Sequence, residues 1–211
     1  MKLLVATRSA GKQREVRELL EGAGHEVLFP DDAGLDERPE ETAIETSETF
    51  AGNAVRKAEY FARRSGLPTV ADDSGLEVLS LGGAPGVRSK RFAGVDGSPD
   101  EVDAANNREL TRRLAGAPDK RRVARYRCVL AYLPAPGAVP ELFEGACSGR
   151  ILAEPRGTGG FGYDPYFWSD DLRKSFGEAL PEEKNAVSHR ARAFRALLDR
   201  LGPGDTRPPS P

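Results

Sequence analysis

The stretch Leu67-Pro68-Thr69-Val70-Ala71-Asp72-Asp73-Ser74-Gly75 joins a short apolar segment to two adjacent carboxylates. Its first half is rich in β-branched residues and contains a proline, which predicts a strand that enters from a turn. Ser74 and Gly75 permit a sharp turn directly after the acids. Two carboxylates at a strand end cannot both be deeply buried without a counter-charge. A magnesium ion carrying a phosphate ligand would supply one, because it takes oxygen ligands. The alternative is a plain surface turn.

The N-terminus predicts a strand, a loop and a helix in succession. Leu3-Leu4-Val5-Ala6 is a continuous apolar run, which suits a strand buried on both faces of an α/β sheet. The loop Thr7–Lys12 follows, and then an amphipathic helix that ends near Gly24. Such a loop can hold phosphate, because free N–H groups and the helix dipole point at it and Lys12 adds a charge. A capping serine and a solvated lysine are the alternative.

A second helical pattern covers residues 49–65, after an acidic and irregular run over residues 31–48. Its apolar stripe runs from Phe50 to Ala62 at helical spacing. Lys57 lies beside this stripe, one turn after Asn53. The lysine either extends its charge into water or directs it at nearby carboxylates or phosphates. A glutamate of the acidic run could also reach a metal ion.

The second half of the chain adds a capped helix, a hairpin and a glycine–aromatic segment. Ser98, Pro99 and Glu101 form a capping box, which predicts a helix that begins there. Alternating segments at 122–133 and 142–151 predict a long hairpin. In residues 157–168 four glycines accompany five aromatic side chains. This segment either lets backbone and a ring approach a flat ligand or is a glycine-rich turn before a core strand.

A last helix carries a local conflict at its start. Ser188 is a good N-cap residue, so His189 and Arg190 would lie in the first turn. Cations are unfavourable there because they oppose the helix dipole. The conflict indicates a functional role, such as binding an anion or a base oxygen.

Composition narrows the class of protein. The chain has 211 residues, of which 38% are hydrophobic and 30% charged, as in ordinary soluble domains. A net charge of −2 argues against nonspecific nucleic-acid binding. Two cysteines define neither a zinc site nor a disulfide framework, and a reducing cytoplasm is the simpler context. No run is long enough for a signal peptide or a membrane span. Residues 1–201 are expected to form one domain, and residues 202–211 a disordered tail.

Taken together, these motifs resemble the inosine triphosphate pyrophosphatase family over roughly residues 3–201. They occur in that family's order and spacing. The segments that carry the resemblance are Ala6-Thr7 with Lys12, Glu45-Thr46, Thr49-Phe50, Asn53-Ala54, Lys57-Ala58, Ala71 to Leu76, Gly82 to Gly86, Gly159 to Pro165, and Glu183-Lys184 with Ser188-His189-Arg190.

The resemblance implies a fold and an activity. The fold would be an elongated α/β structure with a mixed sheet and flanking helices, in two lobes around a central cleft. The enzyme would hydrolyse the non-canonical purine nucleoside triphosphates ITP, dITP and XTP to a monophosphate and pyrophosphate, and so remove them from the nucleotide pool. The resemblance further implies Mg²⁺ as cofactor, a cytoplasmic location and a homodimer, with no nucleic-acid or membrane partner.

The resemblance also implies a role for each matching residue. Asp73 would take a proton from water and bind the metal together with Glu45 and Asp72. Phosphates would be held by Lys57 and by the loop residues Thr7, Arg8, Ser9, Ala10, Gly11 and Lys12. Ser74 would contact the nucleotide. The base would be received by Phe161, Gly162, Tyr163, Asp164, Lys184, His189 and Arg190.

Two departures from the family pattern affect these expectations. Arg8 and Ser9 replace a glycine and an asparagine, so the shape of the first loop is open. Gly52 stands where a glutamate is common, which makes Glu45 the more important carboxylate. Asp72, Glu41 or Glu48 could share the metal.

Two other functions remain open at this level. One is a pyrophosphatase for other modified nucleotides, such as methylated pyrimidines. The other is a noncatalytic nucleotide-binding module. The combination of Asp72 and Asp73 with Lys12 and Lys57 favours turnover, since a sensor needs fewer acids.

Overall fold

A mixed seven-stranded sheet organises residues 1–202, the part of the chain that the structure, a computed structural model, describes. Its strands are β1 (Lys2–Val5), β2 (Glu26–Leu28), β3 (Thr69–Val78), β4 (Val123–Leu133), β5 (Glu141–Ile151), β6 (Phe167–Ser169) and β7 (Lys174–Ser175). Their order is β2-β1-β3-β4-β5-β6-β7. β1 runs parallel to β2 and β3, whereas β6 is antiparallel to β5 and β7. The predicted α/β class is confirmed.

Five α-helices accompany the sheet in these residues: α1 (Ala10–Leu20), α2 (Phe50–Ser65), α3 (Pro99–Arg113), α4 (Pro181–Val187) and α5 (His189–Leu201). α3 begins at the predicted capping box, in which Ser98 Oγ accepts from the Glu101 N–H and the Glu101 carboxylate accepts from the Ser98 N–H. None of the helices is long and apolar enough to cross a membrane. The predicted disordered tail lies outside the described residues except for Gly202.

The turn predicted after Asp73 is wrong. β3 continues without interruption through Ser74 and Gly75 to Val78, and most of its residues are buried. The sequence predicted a turn there because the charges of two acids followed by Ser-Gly ordinarily need contact with solvent. Lysines from distant parts of the chain neutralise the acids, as described below, so the strand can carry them into the interior.

The chain divides into two compact units. The first unit comprises residues 1–73, 129–144 and 193–202, and the second comprises residues 74–128 and 145–192. The expectation of a single domain over 1–201, with two lobes around a cleft, stays a prediction.

The first unit has a core of small and aliphatic side chains. The predicted stripe of α2 is buried, with Ala54 and Ala58 fully inaccessible and Phe61 nearly so. These side chains pack with Leu4 of β1 and Ala71 of β3. Because alanines bring the helix close to the strands, the polar residues on the flank of α2 come near the acids of β3.

The second unit has an aromatic core. Tyr126, Phe167 and Phe176 contact one another with ring centroids 4.7–6.0 Å apart. The predicted hairpin segments are the strands β4 and β5. The later part of the glycine–aromatic segment, with Tyr163 and Phe167, belongs to this core, whereas residues 157–160 are exposed.

Candidate active site

An acid–lysine cluster lies in the first unit and consists of Lys12, Glu45, Lys57, Asp72 and Asp73. Lys12 Nζ is 2.9 Å from Asp72 Oδ2, and Lys57 Nζ is 2.5 Å from Glu45 Oε1. Asp72 and Asp73 are 3% and 5% exposed, so this is a buried constellation of charges rather than a solvated surface. Four segments that are distant in sequence supply it: the start of α1, the acidic run, α2 and β3.

Burial and neighbouring charges shift the pKa values in this cluster in opposite directions. Burial, the largest influence, raises the pKa of the Asp73 carboxyl above its ordinary 3.8, and Glu45 adds to the rise against the effect of Lys57. Burial also acts to raise the pKa of Glu45, but Lys57 and Lys12 outweigh it and hold that pKa below 4.5. Asp73 is therefore the stronger proton acceptor of the two.

Asn53 also belongs to this cluster, although the sequence predicted no role for it. It is fully buried in α2, and its Nδ2 donates to Asp73 Oδ2 over 2.9 Å. Its Oδ1 accepts from the Ser47 N–H over 2.8 Å. Asn53 therefore orients Asp73 and anchors the acidic run. An asparagine in the interior of a helix, one turn before a lysine beside the apolar stripe, was the available signal.

The residue set offers oxygen ligands suited to a magnesium ion. Within residues 1–202, no three His, Cys, Asp or Glu side chains are grouped so that they alone could hold a metal ion. Magnesium does not need such a group, since it binds through one or two carboxylates, waters and substrate phosphates. Three carboxylates against two ammonium groups leave the cluster one negative charge in excess. The residues therefore fit Mg²⁺ bound together with a phosphate.

The loop before α1 leaves backbone donors available at the helix start. Ser9 occupies the N-cap position, but its side chain makes no capping hydrogen bond, so the capping alternative does not describe it. Thr7 is buried, and its Oγ1 accepts from the Ser9 N–H over 3.3 Å. Ala10 and Gly11 open the helix and Lys12 follows in its first turn. This arrangement is typical of anion seats at helix N-termini.

Arg8 makes contacts other than the phosphate contact expected of it. Its guanidinium hydrogen-bonds Glu41, Asp31 and the Leu35 carbonyl. In the described structure Arg8 thus joins the first loop to the acidic run.

A base-side cluster lies in the second unit and consists of Phe161, Asp164, Lys184, His189 and Arg190. Asp164 is 2% exposed and accepts from Lys184 Nζ over 2.5 Å and from the Phe161 N–H over 2.8 Å. Lys184 Nζ lies 4.9 Å from the centroid of the Phe161 ring, and the Arg190 guanidinium carbon lies 6.0 Å from it. The cluster combines an aromatic face with cationic donors, which suits a flat ring that carries acceptor oxygens.

The first turn of α5 contains His189 and Arg190, as the sequence predicted, and both side chains are buried. Ser188 Oγ accepts from the Ala191 N–H, as expected of an N-cap residue. His189 stacks on Tyr126 at 4.7 Å with an interplanar angle of 9°. Arg190 is 2% exposed, and its Nη2 donates to Ser74 Oγ over 2.9 Å. The unfavourable helix position is thus offset by stacking and hydrogen bonding.

Tyr163 and Gly162 belong to the loop rather than to the cluster of cations. Tyr163 is 4% exposed, and its hydroxyl donates to the Ser89 carbonyl over 2.7 Å. Gly162 has a left-handed backbone with φ of +64°, which favours glycine. At Gly160, a Cβ would lie 2.1 Å from Asp164 Oδ2, so a side chain there would displace the carboxylate.

The fold is that of an α/β protein, and the two clusters are candidate sites for a polyanion and for a flat ring. The chain belongs to the Ham1 family, whose model matches residues 3–200. This confirms the family that the motifs predicted.

The relatives agree over nearly the full length of the chain. It is 45% identical over 202 residues to a dITP/XTP pyrophosphatase of Thioalkalivibrio sulfidiphilus, which covers 95% of this chain and 98% of the relative. It is 44% identical over 204 residues to a dITP/XTP pyrophosphatase of Shigella flexneri, with coverage of 96% and 99%. The solved structure of a HAM1 protein from Coxiella burnetii superposes with a TM-score of 0.82 at 35% identity, with coverage of 95% and 98%.

Proposed function

We propose that this protein hydrolyses the non-canonical purine nucleoside triphosphates dITP, XTP and ITP to nucleoside monophosphate and pyrophosphate. The observation that carries the proposal is the buried acid–lysine cluster, in which Asp73 is held by Asn53 beside two lysines. The sequence similarity to proteins named dITP/XTP pyrophosphatase supports these nucleotides as the substrates.

The phosphate end of the nucleotide binds at the first loop and the lysines. The N–H groups of Ala10 and Gly11 at the start of α1 and the Ser9 hydroxyl donate to phosphate oxygens, and Lys12 adds a formal charge. Lys57, whose pKa the surrounding carboxylates raise despite its burial, stays charged and neutralises phosphate and acids together. Positioning and charge neutralisation are the main requirements of this chemistry.

Glu45, Asp73 and Asp72 would hold the magnesium ion through carboxylate oxygens. When bound, Mg²⁺ polarises phosphate oxygens and lowers the pKa of a coordinated water. The excess negative charge of the acid–lysine cluster supports this assignment.

Asp73 accepts the proton of the attacking water. Its pKa lies above the ordinary value because of burial, which makes it a better base than a solvated aspartate. The hydrogen bond from Asn53 to Oδ2 orients the carboxylate. Asp73 is therefore the proposed catalytic residue.

The base end of the nucleotide binds at the base-side cluster. Phe161 stacks on the purine, and a 6-oxo group accepts hydrogen bonds from the Lys184, His189 or Arg190 side chains. A 6-amino group would leave these buried donors without an acceptor, and such mismatches discriminate strongly. Adenine nucleotides are therefore poor substrates.

The proposal includes a cytoplasmic location and a homodimer, and light scattering on the purified protein tests the dimer.

A substrate panel tests the activity. Wild type, Asp73→Asn and the exposed control Asp96→Asn are each incubated with Mg²⁺ and dITP, XTP, ITP, ATP or a methylated pyrimidine triphosphate, and released pyrophosphate is measured. We expect release from the first three by wild type and by the control, and a loss of at least a hundredfold in Asp73→Asn. Tight binding of dITP without pyrophosphate release by wild type would make the protein a nucleotide sensor.

A further inference from the structure

Helix α3 carries a polar face that the site as described does not use. Asp103, Asn106 and Asn107 are spaced three and four positions apart and so share one side of the helix. Asn106 is 2% exposed and binds the backbone of the preceding segment through Ala93 N and Lys90 O. The other two side chains reach the loop that carries Phe161. Polar groups are seldom buried on a helix face unless they are hydrogen-bonded.

Asp103 and Asn107 hold Gly162 from both sides of its Cα atom. The Gly162 N–H donates to Asp103 Oδ2 over 2.7 Å, and Asn107 Nδ2 donates to the Gly162 carbonyl over 2.9 Å. The first bond fixes the peptide plane before Gly162 and the second fixes the plane after it. Together they set both backbone torsions of a residue that is left-handed, with φ of +64°.

The burial and hydrogen bonding of Asp103 and Asn107 indicate that both side chains stabilise this loop. Burial is the main influence on Asp103 and raises its pKa, while the Gly162 N–H opposes that rise. Asn107 Oδ1 is buried and, within the described residues, accepts no hydrogen bond. An amide whose oxygen is left unsatisfied is costly, so the donation to Gly162 is the contact that offsets its cost.

The loop held in this way carries the ring that faces the base. Phe161 directly precedes Gly162, and its N–H is fixed by Asp164. Tyr163 directly follows and is fixed by its hydroxyl at Ser89 O. Gly162 is the joint between these two anchored residues. A rotation at Gly162 would therefore move the Phe161 ring away from Lys184, which lies 4.9 Å from its centroid.

We propose that Asp103 and Asn107 are positioning residues for base recognition, which act by locking Gly162 so that the Phe161 ring stays beside Lys184 and Arg190. The proposal rests on the proposed function, in that the base-side cluster receives the purine. Neither side chain touches the base. Their effect reaches the substrate through the loop alone, which distinguishes them from the cations of the cluster.

The test compares substitutions that keep the hydrogen bond to Gly162 with substitutions that remove it. Asp103→Asn keeps an oxygen that accepts from the Gly162 N–H, whereas Asp103→Ala removes it. Asn107→Asp keeps the shape but replaces the donor by an acceptor that faces the Gly162 carbonyl. Asp100→Ala is the matched control, because it removes an exposed carboxylate from the first turn of the same helix.

The readouts separate loop position from general damage. We expect the KM for dITP to rise about tenfold in Asp103→Ala and Asn107→Asp, with kcat within about twofold. The KM should stay near wild type in Asp103→Asn and Asp100→Ala. Inhibition by inorganic pyrophosphate, which needs only the phosphate end, should be unchanged in all four. Far-ultraviolet circular dichroism verifies that each variant is folded.

Hydrogen exchange of the amides of residues 160–164, measured without substrate, tests the lock independently of activity. We expect faster exchange in Asp103→Ala and Asn107→Asp only. The proposal is overturned if Asp103→Ala and Asn107→Asp have the same amide exchange and the same KM as Asp100→Ala. It is also overturned if these two variants lose kcat and pyrophosphate binding to the same extent. If wild type releases no pyrophosphate from dITP, the proposed function fails. The exchange result still decides whether the two residues lock Gly162.

Discussion

Arg8 donates two hydrogen bonds to Glu41, from Nε to Oε2 over 2.7 Å and from Nη2 to Oε1 over 3.1 Å. Arg64 at the end of α2 donates to the same carboxylate over 2.7 Å. Planar, bidentate pairing of this kind is the strong form of an ion pair. Glu41 lies only four residues before Glu45. The first loop, α2 and the acidic run are therefore held together close to the acid–lysine cluster.

Glu41→Gln should destabilise the protein by about 2 kcal/mol, because it weakens charge-assisted bonds to two arginines while leaving their charges in place. For a chain of this size that corresponds to a fall in Tm of about 4–8 °C. Thermal unfolding at neutral pH measures it. Glu40→Gln, which changes an exposed neighbour, is the control and should be nearly neutral. Equal melting temperatures for Glu41→Gln and Glu40→Gln would contradict the role of the pair.

The stabilisation by Glu41 should depend on pH with a defined sign. Burial acts to raise the pKa of this carboxyl, but Arg8 overrides it, so the pKa in the folded protein lies below the ordinary 4.5. The contribution is complete above 4.5 and is lost as pH falls through the folded pKa. Unfolding of wild type and Glu41→Gln, followed in urea from pH 7 to pH 3, should show a difference that shrinks below pH 4.5. A difference that does not shrink at all between pH 5 and pH 3 would assign the effect to packing.

Asn53→Ala should lower kcat by ten- to a hundredfold with a smaller change in KM, because Asp73 loses the donor that orients it. Steady-state kinetics with dITP measure this. Arg56→Ala, on the exposed side of the same helix, serves as the control. If kcat is retained in Asn53→Ala, the amide is only an anchor for Ser47.

Arg190→Ala should lower the preference for ITP over ATP by at least tenfold, while the concentration of Mg²⁺ needed for half-maximal rate changes little. The reason is that Arg190 lies in the base-side cluster, whereas the carboxylates proposed to bind the metal lie in the other unit. Arg192→Ala, an exposed arginine in the same helix, is the control. An equal loss of rate with both nucleotides would remove Arg190 from base selection.

Removal of divalent cations with EDTA should abolish pyrophosphate release, and excess Mg²⁺ should restore it. The acid–lysine cluster has one more negative than positive charge and so needs a cation when triphosphate binds. Ca²⁺ is the ion to compare with Mg²⁺ in this assay, because it is larger and accepts a more flexible coordination geometry. Full activity in EDTA would exclude the metal from the proposal.

Local sequence signals predicted the elements that depend on local chemistry. The capping box at Ser98 marked the start of α3, and the stripe from Phe50 to Ala62 marked the buried face of α2. The lysine beside that stripe proved to point at Glu45 rather than into water. For the capping box and the stripe, the deciding residues lie within a few turns of one another; the direction of Lys57 had stayed open between two alternatives.

Contacts between distant residues could not be predicted in the same way. Ser74 and Gly75 indicated a turn because nothing nearby showed that Lys12 and Lys57 would neutralise the preceding acids. The pairing of Arg8 with Glu41 spans 33 residues. The sequence around Asp103 and Asn107 predicted no role for them, because only the folded loop shows what they bind.

The pairing of Lys184 with Asp164 has a consequence for how this protein can change. Both side chains are almost inaccessible, and replacing the lysine would leave a carboxylate charge buried beside aromatic rings. A mutation of Lys184 that changes the proposed base recognition is therefore also expected to destabilise the fold. A replacement of Lys184 therefore calls for a compensating replacement of Asp164, and we expect the two positions to vary together among relatives.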